Sequence, residues 1–263
     1  MLQLSILIPY QCARQRDTGH IFAAETLRLA ETVSQLGLSF EIIIVDDHSP
    51  LADIEALQTR LLRLENWKLL RLDRGVGLSG VLTAGIAAAR GQQIVALGAG
   101  DGYPIEQLPE LLAHLARVDL VVGRPERTGI AKACHRLARI PRWLLLGLEV
   151  RDPECLFWAA RREALRGLEL ARGMYRYLAS HVAMRGYRVG ELLISPPARR
   201  LWMLDGLPNP GDLLVTWWMM RRWRHFSAEE IFSGDAGQIV KLPESQAASD
   251  EMRIRIPRKR RSA

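Results

Sequence analysis

The sequence predicts an α/β protein: a mostly parallel central sheet with helices on both faces. Two observations carry this expectation. Strand-like and helix-like stretches alternate regularly through residues 4–122. Within them, Ile42-Ile43-Ile44-Val45 runs without polar alternation directly into Asp46-Asp47-His48-Ser49-Pro50. A strand that is apolar at every position is buried on both sides, as strands inside a parallel sheet are.

The elements follow in order. Leu4–Ile8 reads as a first strand ended by Pro9-Tyr10, and a helix over 21–36 stops at Gly37. After the strand closing at Val45 comes an amphipathic helix over 51–64, for which Asp47 or Ser49 is a natural cap. Residues 67–72 give a third strand, and 79–90 a helix closed by Gly91. Residues 93–97 are a fourth strand, 105–116 a helix and 119–122 a short fifth strand. Such a βαβα rhythm argues for a parallel sheet. Beyond Gly123 arginine becomes dense and the periodicity turns helical over 131–146 and 163–168, before a strand at 188–194. From Ser227 the composition is small and polar, ending in the basic run Arg253–Arg261. Residues 1–225 are thus expected to form the α/β domain and 226–263 a flexible basic tail.

Composition bounds the partners. The 263 residues are 48% hydrophobic, enough for a sizeable core, and carry a formal net charge of +7 supplied almost wholly by arginine. Arginine suits bidentate recognition of phosphate or carboxylate. Nothing pairs the charge with a stacking face or a groove-reading element, so no nucleic-acid partner is expected. Cys12, Cys134 and Cys155 are odd in number and lack metal-ligand or redox spacing, which suits a reduced cytoplasm. No signal peptide is read at the N-terminus, and no apolar run approaches membrane-spanning length.

Two segments are candidates for chemistry. Asp46 and Asp47 stand where a buried strand leaves the core, the edge at which open α/β sheets bind ligands. Gly75-Val76-Gly77-Leu78-Ser79-Gly80 matches the dinucleotide fingerprint G-x-G-x-x-G, but follows the third strand instead of the first. The next strand also ends without the acid that fingerprint expects. These glycines read instead as a tight strand-to-helix turn against ligand or backbone.

Taken together, several segments resemble the family 2 glycosyltransferases of GT-A fold, nearest the polyprenyl-phosphate (dolichol-phosphate) mannose and glucose synthases. Ser5–Tyr10 resembles the opening strand ending in Pro-Tyr, and Val45-Asp46-Asp47-His48-Ser49 the family's Val-Asp-Asp-Gly-Ser. Arg74–Gly77 and Ala84–Gly91 resemble the segment before the metal-binding strand, and Pro104 with Leu108–Leu112 the helix after it. Val121-Val122-Gly123-Arg124 resembles Val-x-Gly-Ser-Arg without the serine, and Gly186–Glu191 with Arg199-Arg200 the later Glu strand and its arginine.

The resemblance implies inverting hexose transfer from a nucleotide-diphosphate sugar to a polyprenyl phosphate or similar acceptor at the cytoplasmic membrane face. It implies that Pro9 and Tyr10 line the base, that Asp46 or Asp47 accepts a base N–H, and that Gly75 and Gly77 approach the nucleotide. Arg124, Arg136, Arg199 and Arg200 would hold phosphates, Arg124 acting also in catalysis. The family's metal motif Asp-x-Asp falls on Gly98-Ala99-Gly100, with Asp101 the only nearby acid. Asp101 would then be the catalytic residue and the single carboxylate, beside diphosphate oxygens and waters, of a sparse Mg²⁺ or Mn²⁺ site. Alternatively arginines replace the metal, or turnover is lost and the chain is a nucleotide- or partner-binding pseudoenzyme. Residues 213–226 mix Trp217, Trp218, Met219, Met220 and Trp223 with Arg221, Arg222 and Arg224. They read either as an interfacial helix giving peripheral membrane contact or as a core helix with a basic edge.

Overall fold

β1 (Leu4–Tyr10) is buried at every position. Successive residues of a strand point to opposite faces, so a fully buried strand requires cover on both sides of the sheet. The same holds for Ile42–Val45 in β2 (Phe40–Asp46), as the unbroken aliphatic run predicts. The structure, a computed structural model, describes residues 2–11, 19–126, 152, 155–197, 211 and 214–218.

The remaining elements are α1 (Gly19–Gln35), α2 (Leu51–Arg60), β3 (Trp67–Arg71), α3 (Gly77–Ala88) and β4 (Gln93–Leu97). A 3₁₀ turn (Ile105–Gln107) leads into α4 (Leu108–His114) and β5 (Leu120–Pro125). Then come β6 (Phe157–Arg161), α5 (Arg162–Leu165), a second 3₁₀ turn (Met174–Tyr177), α6 (Leu178–Met184) and β7 (Val189–Ile194). The seven strands form one sheet in the order β3-β2-β1-β4-β6-β5-β7. β6 runs antiparallel to both neighbours, and every other pair is parallel. The mostly parallel sheet expected from the sequence is present.

Close backbone approaches hold the layers. A Cβ on Gly85 would lie 3.2 Å from Val45 and 3.3 Å from Leu7, so α3 seats tightly on β1 and β2. At the opposite edge Glu41 joins three elements. Its carboxylate accepts Ser5 Oγ–H at 2.7 Å, Arg90 N–H at 2.8 Å and Lys68 Nζ at 2.9 Å. Burial pushes its carboxyl up, but the hydrogen bonds from Lys68, Ser5 and Arg90 outweigh it and hold the group below its ordinary value.

Four expectations need correction. α2 ends at Arg60 instead of 64. Its N-cap is Pro50 with no side-chain hydrogen bond, so neither Asp47 nor Ser49 caps it. The helix expected over 163–168 is the four-residue α5, cut short by Gly167 at φ +67°. β6 was not foreseen: Phe157-Trp158-Ala159-Ala160-Arg161 is short and contains two alanines, yet lies in the interior of the sheet between β4 and β5. The helix expected over 131–146 and the tail 226–263 lie outside the described residues. Among the described residues, no helix is long and apolar enough to cross a membrane.

Candidate functional site

The chain runs outward from β1 to β2 and β3, then returns to lay β4 on the other flank of β1. Where strand order reverses in this way, loops diverge beyond the carboxyl ends and leave a crevice for ligands. Four segments meet that edge: Tyr10-Gln11 after β1, Asp46-Asp47 after β2, the 72–77 turn after β3 and the 98–101 turn after β4. Three of them are pinned by one side chain. Asp47 is 5% exposed, and its carboxylate accepts Val76 N–H at 2.7 Å and Gly77 N–H at 3.1 Å. It also accepts Gln11 Nε2–H at 3.3 Å, while Asp47 N–H donates to Tyr10 O at 3.0 Å. The acid thus satisfies orphan donors at the start of α3 and complements that helix's positive end.

Asp46 faces inward. It is fully buried, accepts Ser49 N–H at 3.0 Å and lies 3.7 Å from Arg71 Nε, which also donates through Nη2 to Ser49 O at 2.8 Å. Its role is to close the loop after β2. His48 between them sits at φ +61°, a left-handed conformation that costs a side-chain-bearing residue and suits glycine. Pro9 is buried in β1, and Tyr10, 4% exposed, turns its ring edge-on to Phe22 at 5.0 Å. Gly77 lies at φ +75°, and a Cβ on Gly75 would have only Asp47 O within reach, at 4.0 Å. The glycine turn is therefore open toward the site.

Residues 24–168, more than half of the chain, match the profile of Glycosyl transferase family 2. The chain belongs to that family. A dodecaprenyl-phosphate galacturonate synthase of Rhizobium johnstonii is 24% identical over 75% of the chain. A dolichol-phosphate mannosyltransferase of Pyrococcus furiosus is 29% identical over 51% of the chain, and an undecaprenyl-phosphate mannosyltransferase of Micrococcus luteus 27% over 72%. The chain covers 60% and 41% of the length of the first two and 86% of the third. Among solved structures, glucosyl-3-phosphoglycerate synthase of Mycobacterium tuberculosis, in complex with Mn²⁺, UDP-glucose and phosphoglyceric acid, superposes with a TM-score of 0.57. That match is 15% identical and covers 82% of this chain and 80% of the other, so it speaks to the fold: this is a GT-A fold.

The divalent-cation site expected from the resemblance falls on the turn after β4, and the residues there do not fit such a cation. Hard cations gather several oxygen ligands, and a glycine supplies none from a side chain. Asp101 is 2% exposed, and its Oδ2 lies 2.4 Å from where a Cβ on Gly98 would begin. Gly100 is at φ +91°, with its N–H donated to Glu25 Oε2 at 2.7 Å. Among the described residues, no three His, Cys, Asp or Glu side chains converge as a metal site would need.

The phosphate candidates divide. Arg124, next to last in β5, lies toward the same sheet edge, but its Nη1 pairs with Glu191 Oε2 of β7 at 3.8 Å, away from β4. Arg136, Arg199 and Arg200 lie outside the described residues. Two groups that the sequence reading passed over stand beside the 98–101 turn. Asp152 is 4% exposed, and Tyr103 accepts Leu156 N–H at 3.1 Å while stacking on Phe157 at 5.8 Å. Burial pushes the Tyr103 phenol well above its ordinary range, and Cys155, Asp101 and Asp152 add to the push. The Asp-Pro step before a short apolar run was the available signal for Asp152.

Proposed function

We propose that the chain transfers a sugar from a nucleoside-diphosphate sugar to a polyprenyl phosphate at a membrane surface. The observation that carries this is Asp47, binding three strand ends into one floor at the crevice of a family 2 chain. Gln11 gives the floor its specificity. Its amide N–H already donates to Asp47 Oδ2, the bond that a base imide or amide N–H would make. At 3.3 Å it is long enough to yield to a nucleobase.

In the reaction an acceptor phosphate oxygen bonds to the anomeric carbon as that carbon's bond to the diphosphate breaks. The nucleoside diphosphate departs with the electron pair. A phosphate monoester, with a second pKa of about 6, is already largely dianionic at neutral pH, so no base needs to remove a proton. The protein's task is alignment and charge balance. Guanidinium groups suit that balance because they meet phosphate oxygens in pairs. Arg136, Arg199 and Arg200 are assigned to it, with Arg124 joining on release from its weak, partly exposed pair with Glu191.

Peripheral membrane contact belongs to the same reading. The helical residues 214–218 bury Thr216 and expose Leu214 by 56%, Val215 by 46% and Trp218 by 54%. An outward apolar and indole face, followed in sequence by Arg221, Arg222 and Arg224, suits the headgroup zone of an anionic bilayer.

The test is a transfer assay with radiolabelled UDP- and GDP-hexoses and a polyprenyl phosphate in anionic vesicles. Label should move to the lipid phase. Nucleotide binding without transfer to any lipid phosphate would instead identify a family 2 chain that has lost turnover.

A further inference from the structure

An Asp-x-Asp motif stripped of its side chains would leave an open turn, with space where two carboxylates used to be. The 98–101 turn is not of that kind. Asp101 folds back over Gly98, so that its Oδ2 and the Tyr103 ring at 3.2 Å fill the volume a side chain on residue 98 would need. Ala99 is fully buried, and Asp101 N–H donates to Gly98 O at 3.2 Å, closing the turn on itself. Gly98 N–H donates to Leu156 O at 3.1 Å, tying the turn to the entrance of β6. At Gly100 the positive φ disfavours any carboxylate-bearing residue, and Glu25 reaches from α1 to take up the free N–H. Each vacated position has been refilled by packing or by a hydrogen bond. That pattern describes a rebuilt element, distinct from one that is merely eroded.

We propose that the 98–101 turn is a metal-free floor of the donor site, and that this chain binds its nucleoside diphosphate with no requirement for a divalent cation. The inference rests on the donor-site reading above and adds to it that the charge balance comes from the chain's own side chains. A net charge of +7, nearly all of it on arginine, supplies the means.

The test is isothermal titration of the full chain with UDP and with GDP, once in EDTA and once in excess Mn²⁺, alongside Mn²⁺ electron paramagnetic resonance on the same mixtures. The expected result is a Kd that agrees within about twofold between the two buffers. Protein should not deplete the free-Mn²⁺ signal beyond what the nucleotide alone removes. Binding tightened by about tenfold or more in Mn²⁺, with one equivalent of ion taken up, would overturn the inference while leaving the donor site standing. Failure of both nucleotides to bind in either buffer would overturn the donor-site reading and the inference together.

Discussion

At the scale of single residues, Asp47 carries the most. It is nearly buried, yet its carboxylate serves two backbone donors of the glycine turn and the Gln11 amide. Asp47→Asn keeps the shape but turns an NH₂ toward N–H groups. We expect a loss of about 1–3 kcal/mol of stability in urea denaturation, from backbone donors left unpaired. Nucleotide affinity should fall by about tenfold or more in the same variant. Its neighbour makes the opposite case. His48 occupies the position where the family carries glycine, and φ +61° supplies the reason. His48→Gly should raise stability by up to about 1 kcal/mol, read as an upward shift in thermal midpoint, because the left-handed strain disappears. The sequence shows which residues stand at the end of β2. It does not show that Asp46 faces the loop while Asp47 faces the next strand's turn, since that depends on where Val76 and Arg71 arrive from elsewhere in the chain.

At the scale of elements, the Glu41 network is what pH should reveal. The carboxyl lies below its ordinary value of 4.5 when folded, so the unfolded chain binds the proton more readily. The stability it contributes is therefore complete above about pH 4.5 and is lost as pH falls through the lower, folded value. Glu41→Gln should weaken the protein near neutrality and flatten the acid limb of stability below that pH, measured by urea denaturation across the range. Strand-helix alternation made most of these elements legible, because β1, β2 and β4 each carry an unbroken aliphatic run and α1 is followed closely by Gly37. β6 escaped because its packing, not its own pattern, makes it a strand. It is held between β4 and β5, with Leu97 opposite Phe157 and Val122 opposite Trp158.

At the scale of the whole molecule, strand order is what brings the site together. Pro9-Tyr10, Asp46-Asp47 and the 75–77 turn are far apart in sequence and adjacent because β1, β2 and β3 are neighbouring parallel strands, and the reversal of order across β1 adds the turn after β4. Family membership was legible from the order of short motifs, and so was the loss of Asp-x-Asp. The refilling of that turn by Asp101, Tyr103 and Glu25 was not, because it depends on the loop folding back over Gly98 and on Glu25 arriving from α1. The exposed Leu214 and Trp218 of the helical segment 214–218 make a separate prediction. Leu214→Ser combined with Trp218→Ser should cut co-sedimentation with anionic vesicles by about tenfold while leaving stability within about 0.5 kcal/mol, since both side chains face solvent. Unchanged sedimentation would remove these residues from any membrane role. The central claim, that the donor occupies the crevice floored by Asp47, is tested most directly by diffraction from the chain co-crystallised with UDP or GDP. The base should lie against Gln11 and Asp47, in place of their mutual hydrogen bond, with the diphosphate over the glycine turn. Nucleotide density elsewhere, with the Gln11–Asp47 contact intact, would contradict it.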